Sequence, residues 1–363
     1  MTSRQSQKAG NDSQQLQIGA VNVFGIDEKR VREIFDEKYS IARNNFTIEA
    51  IEIADGRIAE FENRLISKMI TLDGALEAFA DPGFQMLLVK AQKTAAVTER
   101  QADYDLLSEL MIHRFKKGQN RSVRTGIDRA VEIVDHISDE ALLGLTVIHA
   151  VTCFTPKTGC IHKGLDVLDD LFGKFLYGSL PNGNDWLDHL DVLNAVRLSS
   201  LGGLIKIQEY YPKRLEGYVD VGIEKASENY SKAIELLTNV SFSSHSLIEH
   251  ELNPNFVRLE VCEKKHIDTL IVETNINGSL VITPLSGIQK TVLHSIYELY
   301  KKDEVIKKMN TSRFMDEWDK RQNLKKVRAW WDNIEVAVQI TSVGKVLAHA
   351  NAQRCDKTIP SLD

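Results

Sequence analysis

The stretch IDEKRVREIFDEKYSIARNNFTIEAIEIADGRIAEFENRLISKM, residues 26–69, decides how the chain is read. Within it Val31, Phe35, Tyr39, Ala42, Phe46, Ala50, Ala54, Ile58, Phe61, Leu65 and Met69 recur at spacings of three and four. Residues so spaced share one face of a helix, whereas a strand would alternate. Fours outnumber threes, so the stripe drifts around a straight helix and favours curvature or a right-handed wrap over a heptad seam. Ile34, Ile48, Ile51, Ile53 and Ile66 form a second apolar set. A surface helix needs one stripe. Two predict neighbours on both sides, either the next helices or another copy of the chain. Asn44-Asn45 and Gly56 are weak points, Gly costing about 1 kcal/mol relative to Ala inside a helix. The stretch is therefore either one helix of roughly 60 Å or two helices with a bend near Asn44.

Composition narrows the classes. The chain has 363 residues, 43% of them hydrophobic, which supports a sizeable core. A net charge of −6, from 45 basic and 51 acidic residues, argues against a general nucleic-acid binder while leaving room for a local basic site. No apolar run approaches the roughly 18 residues of a membrane span, and the polar N-terminus lacks a signal segment. Four scattered cysteines, Cys153, Cys160, Cys262 and Cys355, fit a reducing compartment. The expectation is a cytoplasmic protein with no membrane partner.

The remaining segments repeat the helical theme. Residues 1–25 are a polar tail with a β-like run, Leu16, Ile18, Val21 and Val23. That run pairs with the C-terminal strands or with another subunit. Asp81-Pro82 is a strong helix start, followed by Phe84, Leu87, Leu88 and Ala91. Further stripes run from Tyr104 to Phe115, Val123 to Val134, Ala141 to Phe154 and Ile161 to Leu176. Short links between them predict antiparallel hairpins. A helix is expected from Trp186 through Leu198, a break at Tyr211-Pro212, and another helix over 224–237. Past Pro254 the texture becomes β-rich at 256–262, 267–272 and 279–282, with turn chemistry at 275–278. Val338-Gln339-Ile340-Thr341-Ser342-Val343-Gly344 leads into a last helix, a strand-to-helix pattern also found in winged-helix domains. The fold class is mainly α: a helical domain over 26–154 led by the long helix, a second helical region over 155–253, and a small, winged-helix-like α+β region over 254–363.

Several residues together carry a resemblance. They are Arg43, Ala50, Ala54, Arg57, Phe61 and Leu65, then Phe79-Ala80-Asp81-Pro82-x-x-Gln85 and Asp105-Leu106-Leu107. Ile340-Thr341-Ser342-Val343-Gly344 with Ala348-His349-Ala350-Asn351 closes the set. The chain resembles a bacterial family of uncharacterised, mostly helical proteins named after locus tags. The resemblance covers most of the chain and brings no catalytic motif. It implies an accessory gene of mobile or phage-defence regions.

Candidate sites are few. Asp188 and Asp191, three apart beside Asp185 and His189, could hold a divalent cation or work as an acid–base pair, although acidic residues also suit a helix N-terminus. Cys153, Cys160 and His162 offer three zinc ligands without a fourth, so core cysteine is the better reading. Glu263-Lys264-Lys265 is similar to the arm of a metal-dependent nuclease, against a plain charged turn. Lys320, Arg321, Lys325, Lys326 and Arg328, flanked by Trp318, Trp330 and Trp331, could bind nucleic acid by phosphate contacts and stacking, against ordinary amphipathic packing. Phosphate loops, dinucleotide fingerprints and hydrolase elbows are missing from the sequence, and no cofactor is expected. The leading expectation is a non-enzymatic, oligomeric binding, sensor or adaptor protein. The alternatives are nucleic-acid binding through the C-terminal region and a metal-dependent hydrolase.

Overall fold

The computed structural model describes residues 27–43, 47–117, 120–242, 246–276 and 279–362. The polar tail, its β-like run, Asn44-Asn45 and residues 277–278 of the expected turn lie outside the described residues. The fold is mainly α, with strands confined to small sheets. Among the described residues, no helix is long and apolar enough to cross a membrane.

The leading stretch is two helices, α1 (Glu28–Arg43) and α2 (Ile48–Met69), and not one rod. Thr47 stands before α2 in an extended conformation, with ψ 163°, which a continuous helix does not permit. Val31, Ile34 and Phe35 of α1 and Ala54, Ile58, Phe61, Leu65, Ile66 and Met69 of α2 are buried. α1 packs on α3 (Pro82–Val97), and α2 packs on both α3 and α4 (Gln101–Lys117). Thus the chain itself supplies most of the neighbours that two stripes require. Ile48 and Ile53 stay outside, 82% and 59% exposed.

Local signals place the next helices. The Asp81 carboxylate accepts from the Phe84 N–H at 2.7 Å and caps α3. Ser138 caps α6 (Asp139–Cys153) in the same way. α5 (Arg121–Glu132) and α7 (Ile161–Phe175) complete the helical body. Into it returns the last helix, α15 (Ser342–Cys355), which packs against α4, α5 and α6. A Cβ on Gly344 would lie 2.0 Å from the Ala195 carbonyl, so only glycine admits α15 at this depth.

Long-range pairing overrides two helical readings. α8 (Asp185–Val192) stops early, and Asn194 turns the chain at φ 56°. Val196 and Leu198 then belong to β1 (Val196–Ser199), antiparallel to β7 (Ala337–Ile340), with Val196 opposite Ile340. Pro212 sits inside α9 (Ile207–Arg214) and does not break it. In a helix this short, little bonding is lost to the missing N–H. α10 (Glu216–Val219) follows, then β2 (Ile223–Glu224), α11 (Glu228–Asn239), β3 (Leu247–Glu249) and β4 (Phe256–Leu259). The three strands form a sheet in the order β2-β4-β3. All four residues of β4 are buried, where alternation predicts two. Lys264–Thr269 is a 3-10 turn, β5 (Ile271–Ile276) and β6 (Ser279–Pro284) pair as a hairpin, and α12 (Gly287–Glu298) opens with a Ser286/Gln289 capping box. α13 (Glu304–Asp319) and α14 (Gln322–Trp331) lead back to the helical body.

The winged-helix reading is corrected by this arrangement. β7 pairs with β1, away from the β5–β6 hairpin. Val346 to Gln353 of α15 are all buried, whereas a recognition helix must offer a face to a groove. Among the described residues, two large apolar cores result, beside a small cluster of Ala54, Ile58 and Ala96. The larger runs from Val31 to Ile359 through the helices. The smaller joins Ile223, Leu237, Leu259, Ile267 and Ile296 from β2, α11, β4, the 3-10 turn and α12, with Tyr300 just after that helix. The cores cut across the chain-order segments 155–253 and 254–363, because β2 and α11 join β4 and α12 while α13–α15 join the body.

Candidate functional site

α14 is amphipathic, and its apolar side fixes three indoles. Trp318, at the end of α13, is fully buried and donates to the Leu324 carbonyl at 2.9 Å. Trp331 donates to the Ile205 carbonyl at 2.9 Å, and Trp330 to the Pro181 carbonyl at 2.8 Å. Across from Trp330 stands Trp186, whose indole donates to the Gly183 carbonyl at 3.0 Å. The two rings lie 5.6 Å apart at 35°. Gly183 has φ +71°, the left-handed value that closes the Pro181-Asn182-Gly183-Asn184 turn. Between this turn and α14 lies a cleft of about 540 Å³. Indole edges, Leu180 and Ile334 supply its apolar lining; Asn182, Asn333 and Lys326 supply polar groups. Among the described residues, Lys326 is the single ionisable side chain in the lining and Ser179 the single hydroxyl. Such a cleft can hold a flat, partly apolar ligand with an anionic end. It presents no nucleophile–base pair.

The predicted basic site is therefore rearranged. Arg321 is taken up by Asp166 at 2.8 Å and by the carbonyls of Glu317 and His162. Arg328 pairs with Asp319 at 2.6 Å, and Lys320 pairs with Glu317. Lys325 and Lys326 are exposed. Trp330 is 8% exposed, so the stacking platform expected of it is spent on the core. The cause is helical spacing: Leu324, Val327, Trp330 and Trp331 share the inward face.

The other candidates disperse. Asp185, Asp188 and Asp191 are exposed on α8, and Asn184, not Asp185, takes the position before the helix. His189 turns away to accept from the Ser138 N–H at 3.2 Å. Cys153 meets His149, Cys160 meets Glu251, and His162 meets Glu317. Among the described residues, no three His, Cys, Asp or Glu side chains are grouped to hold a metal ion. The Glu263 carboxylate is buried and pairs with His266 at 2.8 Å and Lys265 at 2.9 Å, so it is not offered to a metal.

Three polar networks escaped the sequence reading. Cys262 Sγ lies 2.8 Å from His266 Nδ1, whose Nε2 meets Glu263, an order similar to a nucleophile, base and orienting acid. The thiol is 0% exposed, faces the Pro156 carbonyl, and is pushed by burial up to about 12. It is a packed thiol at rest. In the body, His149 Nε2 lies 3.2 Å from His349 Nδ1, and His113 meets Gln353. Burial, with His349 beside it, takes His149 down to about 3; burial also lowers His113. Finally, Arg258 is fully buried and donates to the Gly159 carbonyl at 2.6 Å and to Glu251 at 2.7 Å. Glu251 also accepts from the first N–H of α7 at 2.8 Å. Burial pushes that carboxyl up, but Ile161, Cys160 and Arg258 outweigh it and hold it below the usual range. A four-residue Cys-to-His spacing, at Cys262/His266, was the one local hint available.

The comparison with curated proteins gives no match, and that with solved structures gives none either. A family model matches residues 25–361. With nearly the whole chain covered, the protein belongs to this locus-tag-named, uncharacterised family.

Proposed function

We propose that the protein is a non-enzymatic binding or sensor protein that takes a small aromatic anion in the cleft between the 178–183 loop and α14. One observation carries this reading: a preformed cleft of about 540 Å³ with two indoles in its lining and Lys326 as its single ionisable group. Binding needs shape, apolar surface and one or two oriented polar groups, all present here. Acid–base chemistry would need a second titratable partner in reach. Calorimetry with naphthoate tests it. Saturable heat is expected with the wild type, and Ala329→Trp, which fills the cleft from its exposed side, should abolish it. Equal heat from both proteins, or none from the wild type, refutes the assignment.

Self-association is the second part of the proposal. Its support is Ile48 and Ile53, apolar and exposed at the start of α2. Light scattering should give an assembly for the wild type and a monomer for the Ile48→Lys, Ile53→Lys double variant. A monomeric wild type removes this part. A place in phage defence rests on the family resemblance alone.

A further inference from the structure

A second cleft, of about 250 Å³, opens between α1 and α2. Asp36, Asp55 and Glu62 line it, with Phe35, Tyr39 and Gln92. Arg32 answers Glu62 at 3.1 Å but also serves Glu28 at 2.8 Å, so it offsets at most one of the three carboxylates. Burial, together with Asp36, holds the Glu62 carboxyl above its usual range against the pull of Arg32. The Tyr39 hydroxyl donates to Asp55 and fixes that carboxylate at the wall.

An independent feature lies at the base. Gln92 is 0% exposed, its Nε2 donates to the Phe35 carbonyl at 3.1 Å, and its Oε1 has no hydrogen-bond partner among the described residues. A buried acceptor left unpaired costs about 1–3 kcal/mol, which a donor entering the cleft would relieve. Acceptors and negative charge thus converge on one small space, bounded elsewhere by Ile58 and Ala59. The carboxylates do not close on a single point as metal ligands would. An ammonium carries three donors and no acceptor, which matches this lining.

We infer that the α1–α2 cleft binds a small aliphatic diamine, one ammonium among Asp36, Asp55 and Glu62 and the other end reaching Gln92 Oε1. Two positive charges answer the net charge of the lining, and the alkyl link lies along Ile58, Ala59 and the two aromatic rings. The bound diamine would tie α1 to α2 and α3.

Calorimetry with putrescine on the full chain, paired with thermal melting, tests this. Saturable heat and a raised Tm are expected, persisting in about 0.15 M salt, since a partly enclosed pair is screened less than a surface one. Asp55→Asn and Gln92→Met keep side-chain size; each should weaken binding, the first by about tenfold. The Asp188→Asn variant, remote from the cleft, should bind as the wild type does. Butylamine, with one charge, should bind about tenfold more weakly. Equal heat from magnesium chloride alone, equal affinity for butylamine, or unchanged binding by a folded Asp55→Asn would each overturn the assignment, as would a wild type without heat or Tm shift.

Discussion

The two cores solve the problem of buried polarity in opposite ways. In the helical body, burial among α4, α6 and α15 holds His113 and His149 toward the neutral form, with His349 packed beside them. Beside the smaller core, the guanidinium of Arg258 is fully buried, matched by Glu251 and ringed by carbonyls. Neutral rings cost little until acid arrives. A buried cation costs at once if its partner is lost. The difference reflects position. The histidines lie where three helices meet side by side, while Arg258 spans a seam, with Gly159 and Gly217 on one side and β4 on the other. Charge holds the seam; apolar packing holds the body.

The largest expected effect comes from breaking that seam. Arg258→Ala takes the cation from Glu251, which keeps the Ile161 N–H, and a donor from several carbonyls, and should destabilise by about 3–5 kcal/mol. Loss is expected to be regional: hydrogen exchange should speed up over β2, β3, β4 and α12 while α4 and α6 keep their protection. Uniform loss across both cores would show that the body depends on the seam as well, and the contrast would fall. Arg258→Met should cost less, because its apolar chain fills the site without a charge to satisfy.

Acid should act where histidines are buried, His113 and His149 in the body and His250 beside the three-stranded sheet. His149 titrates near 3 when folded and near 6.5 when unfolded, so the unfolded chain binds more protons between these values. The stability it contributes is complete above pH 6.5 and is lost as pH falls toward 3. By pH 5 the loss from this one group is roughly 2 kcal/mol. His113 adds in the same direction, and so does His250, lowered to about 4 by burial where α13 meets the three-stranded sheet. Glu251, held below the carboxylate range, gives up its share only at lower pH. Urea midpoints from pH 7 to 5 should therefore fall, and His149→Asn should flatten the slope. A flat profile for the wild type would mean that these rings are charged, or wet, in the native state.

Those networks mark where the sequence stopped being legible. Stripes and caps were readable because both ends of each interaction lie within a turn of one another. Asp81 reaches Phe84, and Ser138 reaches Ala141. Val196 and Leu198 looked helical because their strand partner, β7, comes near the end of the chain. Gly344 stood out, but nothing local says that it meets Ala195. Lys326 and Trp330 of the cleft were singled out, for phosphate contact and base stacking; the Pro181 carbonyl that claims the indole lies on a loop far away in sequence. Charge was misjudged for the same reason: the carboxylate facing Arg321 belongs to α7.

Caps offer a finer version of the comparison. Asp81→Ala removes the α3 cap in the body, and Ser286→Ala removes half of a reciprocal box on α12 in the smaller unit. Each should cost about 1 kcal/mol. Regional cores predict that the first lowers exchange protection in α3 and its neighbours, and the second lowers it in α12 and β4 only. Interchangeable effects would argue for one cooperative unit.

The smallest expected effect is the most informative about the cleft. Lys326 is exposed and lies outside both cores. Lys326→Gln should move stability by less than about 0.5 kcal/mol, as surface changes away from packing do. It removes the only positive charge that the cleft can offer an anion, so naphthoate should bind several-fold more weakly, with the difference shrinking as salt rises. Trp330→Phe takes the opposite course: it strips the donor from the Pro181 carbonyl and should cost stability whether or not a ligand is present. If Lys326→Gln proves destabilising while its binding is unchanged, the lysine belongs to the fold, and the cleft is a by-product of packing two indoles against a turn.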